Sequence, residues 1–319
     1  MREHLKQYLD QGRAQNVRGL RVLLEYFYAT EQFAPLRNSK IPVISVFGSA
    51  RARPKMIAFK QSYELGKRLY RAGYAVVTGA SRGVMAAANR GVADAIATEL
   101  LAKAKRKNKD AIIKSAAYRR QLKRYSLGLS ISLPFEEDEN PWVGSAATFH
   151  YFMIRKFFFA TLSQGFIACE GGWGTRDELF EILTLVQTGK SPLMPVIYIS
   201  PEPEHLKVDL AHALRLHYID DDDMKLINIV KRPAAALHIV ERFYRHVERI
   251  KYTEDNVIRL YLKKESMQGL QRRVKTLWKR YGHAFDEYRW HADRLDLIGF
   301  HNHSYGLLRA FIDDLNRTR

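Results

Sequence analysis

The sequence is poor in cysteine. Cys169 is the only one in 319 residues. A single thiol excludes any intramolecular disulfide and fits a reducing, cytoplasmic setting. Long apolar runs are missing too. Nowhere do roughly 18 apolar residues follow one another, so no membrane-spanning helix is expected. The opening Met1-Arg2-Glu3-His4-Leu5-Lys6 has no apolar core of a secretory signal. Neither G-x-G-x-x-G nor G-x-x-x-x-G-K-[ST] occurs as such, which argues against an ordinary nicotinamide enzyme and against a P-loop ATPase. Metal-ligand spacings are also lacking. Asp220-Asp221-Asp222-Asp223 reads as a solvated acidic loop, and His301-x-His303 has no further ligands at metal distance. No metal and no cofactor is expected.

Positive charge is abundant. Lys and Arg number 52 against 34 Asp and Glu, a formal net charge of +18. The excess is uneven: residues 96–124 hold ten Lys/Arg against two Asp/Glu, and residues 246–319 hold 15 against 10. Three readings stand open for these segments. They are a solvated face, an attractor of nucleic acid or another polyanion, or an oligomer interface in which the tail's aromatics pack.

Apolar runs of strand length alternate with helical patterns. Ile41–Phe47, Tyr74–Thr78, Leu127–Leu133, Gly165–Cys169, 194–199 and Leu226–Val230 read as buried strands. Helices fit 17–33, 57–72, a stretch from Val84, 149–163, 176–188, 203–216 and 233–250, and the Lys-rich segment 96–124 is also expected to be helical. The expected fold is α/β, a doubly wound, Rossmann-like parallel sheet. Three regions are expected: N-terminal helices over 1–40, the nucleotide-binding domain over 41–251 with a basic helical insertion at about 96–124, and a basic, aromatic-rich helical extension over 252–319.

The most informative stretch is Glu170-Gly171-Gly172-Trp173-Gly174-Thr175-Arg176-Asp177-Glu178. Strand, glycine turn and helix start build an anion site, because free amides and the positive helix end face the ligand. Gly48-Ser49 and Gly79 through Arg82-Gly83 form two further glycine-bearing turns after strands. All three fall at carboxyl ends of strands, where open parallel sheets bind ligands.

Phe47-Gly48-Ser49-Ala50-Arg51, Thr78-Gly79 through Gly83-Val84-Met85, Leu133-Pro134-Phe135-Glu136, Arg155-Lys156 and Gly171 through Glu178 together resemble the Lonely-guy family over roughly 18–245. These are cytokinin-activating phosphoribohydrolases, long mislabelled lysine decarboxylases. The resemblance implies a Rossmann-like fold, a homodimer or higher homo-oligomer, and hydrolysis of the N-glycosidic bond of a purine nucleoside 5′-monophosphate such as AMP or a cytokinin nucleotide. Arg155 and Glu178 match the family's catalytic Arg and Glu, and Gly171, Gly172, Gly174 and Thr175 match its phosphate turn. An arginine can clamp phosphate or ribose, and a carboxylate can stabilise an oxocarbenium-like sugar or activate water.

Plainer readings stand beside these. Thr175-x-x-Glu178 has the spacing of a capping box. Lys156 is either a ligand contact or a snorkelling surface lysine. The family's T-G-G-G-P-G turn is here Thr78-Gly79-Ala80-Ser81-Arg82-Gly83, with Arg82 a candidate phosphate contact. Glu170 replaces the usual proline. A non-catalytic nucleotide sensor or nucleic-acid-binding protein on the same scaffold is the alternative function.

Overall fold

The computed structural model describes residues 15–104, 108–132, 140–264, 267–301 and 304–317. Its parallel strands are β1 (Val43–Phe47), β2 (Ala75–Thr78), β3 (Ser126–Ile131), β4 (Ser145–Phe149), β5 (Phe166–Cys169), β6 (Val196–Ile199) and β7 (Ile227–Val230), in the sheet order β4-β3-β2-β1-β5-β6-β7. β1, β2, β5 and β6 are buried along their whole length. That is why they read as unbroken apolar runs, as strands covered on both faces do. The expected doubly wound α/β fold is present.

Two compact units arise within the chain. The first comprises the described part of Met1–Val46, Ala50–Pro54 and Ser62–Ser163. It holds α1 (Gln15–Gln32), α2 (Ala34–Asn38), most of α3 (Ile57–Arg71), α4 (Gly83–Lys103), α5 (Lys109–Lys114), α6 (Ala116–Tyr125) and α7 (Phe152–Leu162). Ile44 pairs with Val76, Val77 with Leu127 and Leu129 with Ala147, which fixes the register across β1 to β4. The described part of the Lys-rich segment is mainly helical, as expected, divided among the end of α4, α5 and α6. Leu133-Pro134-Phe135-Glu136 lies outside the described residues.

β4 is a strand that the sequence reading missed. Ser145-Ala-Ala-Thr-Phe has a single large apolar residue, and only Ala147 and Phe149 are buried. An edge strand needs no continuous apolar run. Its presence delays the start of α7 to Phe152 rather than residue 149.

The second unit comprises Phe47–Ser49, Lys55–Gln61 and Gln164–Arg319. It holds α8 (Trp173–Gln187), α9 (Glu204–Arg215), α10 (Pro233–Phe243), α11 (Met267–Tyr281) and α12 (Tyr305–Leu315). The expected C-terminal helices exist as α11 and α12. The expectation of a helical extension over 252–319, and of helix to residue 250, is corrected. β8 (Val247–Tyr252), β9 (Val257–Leu262), β10 (Glu287–Trp290) and β11 (Arg294–Ile298) form an antiparallel sheet in the order β10-β11-β9-β8. Ile258, Leu260 and Leu262 are buried on alternate positions of β9, the period of a one-sided strand. Of the tail's aromatics, Tyr281, Phe285, Phe300 and Phe311 are buried, and Trp278, Tyr288, Trp290 and Tyr305 are half-buried. Trp278 stacks on Phe285 at 5.8 Å, Phe285 on Phe300 at 5.3 Å, and Tyr281 meets Phe311 edge-on at 5.8 Å. These rings pack against one another within the second unit.

Arg309 of α12 is fully buried. Its Nε donates to Asp313 at 3.0 Å, an Nη donates to Asn228 on β7 at 2.8 Å, and the guanidinium lies 5.0 Å from the Phe243 ring. A buried charge is tolerable only with such partners. The bond to Asn228 also ties α12 to the parallel sheet.

Candidate functional site

In the second unit the carboxyl ends of β1 and β5 meet. Phe47 stacks on Phe166 with centroids 5.1 Å apart, and the Ser49 amide donates to the Glu170 carbonyl at 2.9 Å. This brings Gly48 and Ser49 beside the turn that follows β5. Gly171 is required by packing. A Cβ there would fall 2.1 Å from Thr175 Oγ1 and 2.9 Å from the Ser49 nitrogen. Gly172 and Gly174 differ: a Cβ at either would have no neighbour within 4 Å. Both are exposed. What their missing side chains provide is open approach to the backbone amides at the start of α8, the arrangement an anion needs.

The helix register decides the role of Glu178. α8 begins at Trp173, its N-cap is Gly172, and no side chain caps it. Thr175 is therefore the third helical residue and not the cap. The capping-box reading is corrected: Glu178 is the sixth helical residue, three positions beyond the one from which a carboxylate reaches back to the N-cap amide. Thr175 is 7% exposed and Glu178 3%. A carboxylate is placed in so dry a position at a cost, and a helix surface would not require it. Trp173 is 92% exposed in the same turn, an aromatic the sequence reading passed over. Glu181, one turn beyond Glu178, is half-buried.

Glu170, the charge that stands where proline is usual, turns toward β6. Its Oε1 accepts the Ser200 hydroxyl, whose oxygen in turn accepts the Glu202 amide at 3.0 Å. Burial first, then the Glu170 charge, pushes the Tyr198 hydroxyl up to about 12.

The first unit carries the remaining candidates. Gly79 and Arg155 come together: a Cβ on Gly79 would lie 2.9 Å from the Met85 sulfur and 3.8 Å from an Arg155 Nη. Arg155 is half-buried on α7, its guanidinium 4.9 Å from the Phe152 ring and 5.9 Å from that of Phe159. The apolar surroundings that make this arginine conspicuous in the sequence are the rings it lies against. Lys156 is half-buried and Arg82 exposed. Arg82 is the N-cap residue of α4 without a side-chain cap bond, and Gly83 follows with φ of 64°. Ala80 also has a positive φ, 57°, where glycine would be unstrained.

A buried polar network supports this turn. The Thr78 hydroxyl donates to Asn89 Oδ1 at 2.7 Å and accepts the Ala80 amide at 3.1 Å. Asn89 Nδ2 donates to Ser126 Oγ at 2.9 Å, and Asn140 Nδ2 donates to Asn89 Oδ1 at 2.9 Å. A lone asparagine inside the apolar face of α4 was the available sequence signal. A second support had none: Glu25 on α1 accepts the amides of His150 at 3.0 Å and Tyr151 at 3.4 Å, just before α7.

Cys169 is fully buried, and burial, then Glu170, pushes its thiol up to about 12. Asp222 pairs with Lys225 and accepts the Ser304 hydroxyl at 2.6 Å. His301 meets Asp286 at 2.7 Å, and His303 lies outside the described residues. Among the described residues no group of three or more His, Cys, Asp or Glu is placed to hold a metal ion, and no helix is long and apolar enough to cross a membrane.

The sheet and its flanking helices define a Rossmann-like α/β protein. The "Possible lysine decarboxylase" family matches residues 110–240, and the SLOG cluster4 family matches 41–112. Together these matches span residues 41–240 and support the resemblance to the Lonely-guy family. No curated protein matches the chain. Among solved structures it is similar to the molybdenum cofactor binding protein of the phototrophic bacterium Rippkaea orientalis, with 21% identity and a TM-score of 0.40 over 63% of this chain and 95% of that one. It is also similar to the molybdenum cofactor carrier protein of Chlamydomonas reinhardtii, with 21% identity and a TM-score of 0.40 over 63% and 96%. Neither likeness bears on the chemistry here.

Proposed function

We propose that the protein hydrolyses the N-glycosidic bond of a purine nucleoside 5′-monophosphate such as AMP or a cytokinin nucleotide, releasing free base and ribose 5-phosphate. The observation that carries this reading is the buried carboxylate of Glu178 on the helix whose first amides are left open by Gly172 and Gly174. The phosphate docks on those amides, with Gly48, Ser49, Gly171 and Thr175 shaping the turn. Glu178 stabilises the cationic sugar or activates the attacking water. Arg155, by family resemblance, is the clamping cation, and Gly79, Arg82, Gly83 and Lys156 are the further nucleotide contacts. The chain's own residues suffice for this chemistry, and no cofactor is invoked.

A homo-oligomer belongs to the same reading. Leu23, Phe27, Phe152, Met153 and Phe157 on α1 and α7 are each 46–63% exposed, and Tyr26 packs on Phe157 at 5.8 Å. Apolar clusters of this kind mark association surfaces.

The alternative is a nucleotide sensor without turnover, favoured by the strained Ala80 where the family has glycine. One experiment separates them. Purified protein is incubated with AMP, GMP, CMP and UMP, products are separated, and binding is followed in parallel by thermal shift. Release of a free base supports hydrolysis, stabilisation without release supports sensing, and neither response counts against both.

A further inference from the structure

The cationic helices α5 and α6 are a surface that the nucleotide chemistry does not use. α6 is firmly seated. Ser115 caps it by accepting the Tyr118 amide at 3.1 Å, and Tyr118 is buried. Tyr125 meets Tyr70 edge-on at 5.0 Å. The Ser145 hydroxyl donates to the Lys123 carbonyl at 3.0 Å, and a Cβ on Gly144 would fall 2.2 Å from the Leu122 carbonyl carbon, so backbone rests on backbone.

The other face of α6 presents Arg119, Arg120, Lys123 and Arg124, all exposed. Their spacing of i, i+1, i+4 and i+5 gathers four cations on one side, with about 6 Å between successive turns. Nearby lysines are engaged: Lys103 meets Glu99 at 2.5 Å and Lys109 meets Asp94 at 3.8 Å. Among the described residues, Lys114, Arg120, Lys123 and Arg124 have no carboxylate within salt-bridge distance. Arg119 is held by a bond to the Lys114 carbonyl at 3.1 Å. Like charges at helical spacing oppose folding, so the fold does not explain their gathering. The sequence adds Lys105, Arg106 and Lys107 between α4 and α5, outside the described residues.

The shape of the surface narrows the ligand. Regularly spaced cations on a rigid helix match a regularly charged polyanion. Unstacked bases need exposed rings, and the tyrosines of α6 are turned inward. We infer that α6, with Lys114, is a docking ridge for the phosphate backbone of duplex nucleic acid, recognised without regard to base sequence.

The test uses the full chain and does not depend on turnover. Fluorescence anisotropy follows binding to a short DNA duplex, the matching RNA duplex, a single strand of the same length and anionic phosphatidylserine vesicles, each across a potassium chloride series. The expected result is duplex binding whose log affinity falls against log salt with a slope near −4 (about −0.9 per phosphate neutralised). The two duplexes tell which backbone is preferred. The variant Arg119→Gln/Arg120→Gln/Lys123→Gln/Arg124→Gln, with unchanged circular dichroism, is expected to lose about tenfold or more in affinity and about 3 in slope. Should it fail to fold, Arg120→Gln/Arg124→Gln is expected to lose about half as much slope. Unchanged affinity and slope in a folded variant would overturn the assignment, as would tighter binding to single strands or vesicles than to either duplex.

Discussion

Glu25 anchors His150 and Tyr151, 125 and 126 residues further along the chain, just ahead of a helix. Its Oε1 accepts the His150 amide at 3.0 Å and meets His150 Nδ1 at 2.9 Å, and its Oε2 accepts the Tyr151 amide at 3.4 Å. The helix that follows, α7, has no side-chain cap at Tyr151 and carries Arg155 in its first turn. With Glu25 8% exposed, its loss leaves buried donors unpaired. Glu25→Ala is expected to cost about 2 kcal/mol in urea unfolding, and Glu25→Gln less because an acceptor remains. A midpoint unchanged in Glu25→Ala would remove the anchoring role.

The glycines of the turn after β5 should separate into two kinds. Gly171→Ala drives a methyl into Thr175 and Ser49 and is expected to destabilise the fold by about 1–3 kcal/mol. Gly174→Ala meets nothing and lies within α8, so stability should rise by up to about 1 kcal/mol while mononucleotide affinity falls. Thermal melting and nucleotide titration of the two variants check this. A Gly174→Ala protein that binds as well as wild type would mean the ligand does not approach these amides.

Cys169 should be inert in the folded protein. Its thiol is fully buried and pushed up to about 12, so almost no thiolate exists at neutral pH. Titration with a thiol reagent is expected to find no reactive group natively and one in denaturant. Rapid native labelling would contradict the burial of β5.

The parallel sheet was legible because strands buried on both faces are apolar at every position, as in Val43–Phe47 and Phe166–Cys169. One-sided strands were not. In β8, Val247 and Ile250 are buried while Glu248, Arg249 and Lys251 face outward, and such a pattern within a charged segment blurs into that of a helix. The glycine turn was legible from strand–turn–helix order. The burial of Glu178 was not, because Thr175-x-x-Glu178 imitates a cap until the helix is seen to begin at Trp173. Glu25 gave no local signal at all, since its partners are distant in the chain.

Stability should fall on mild acidification through His246. Burial, then Arg273, Arg245 and Lys263, depresses this imidazole below its ordinary 6.5. The folded state therefore binds fewer protons than the unfolded chain. The contribution is complete above about 6.5 and is lost as pH falls through the depressed folded value. His246→Gln is expected to flatten that part of the stability–pH curve in urea unfolding at a series of pH values. An identical curve would place the acid sensitivity elsewhere.

The most direct test of the central claim is a single comparison of wild type with Glu178→Gln in AMP hydrolysis, with nucleotide binding measured on the same samples. The account predicts that the variant folds, binds AMP within about threefold of wild type, and loses at least about a hundredfold in turnover, the scale of a removed acid–base or electrostatic group. A variant that hydrolyses AMP as fast as wild type would contradict it.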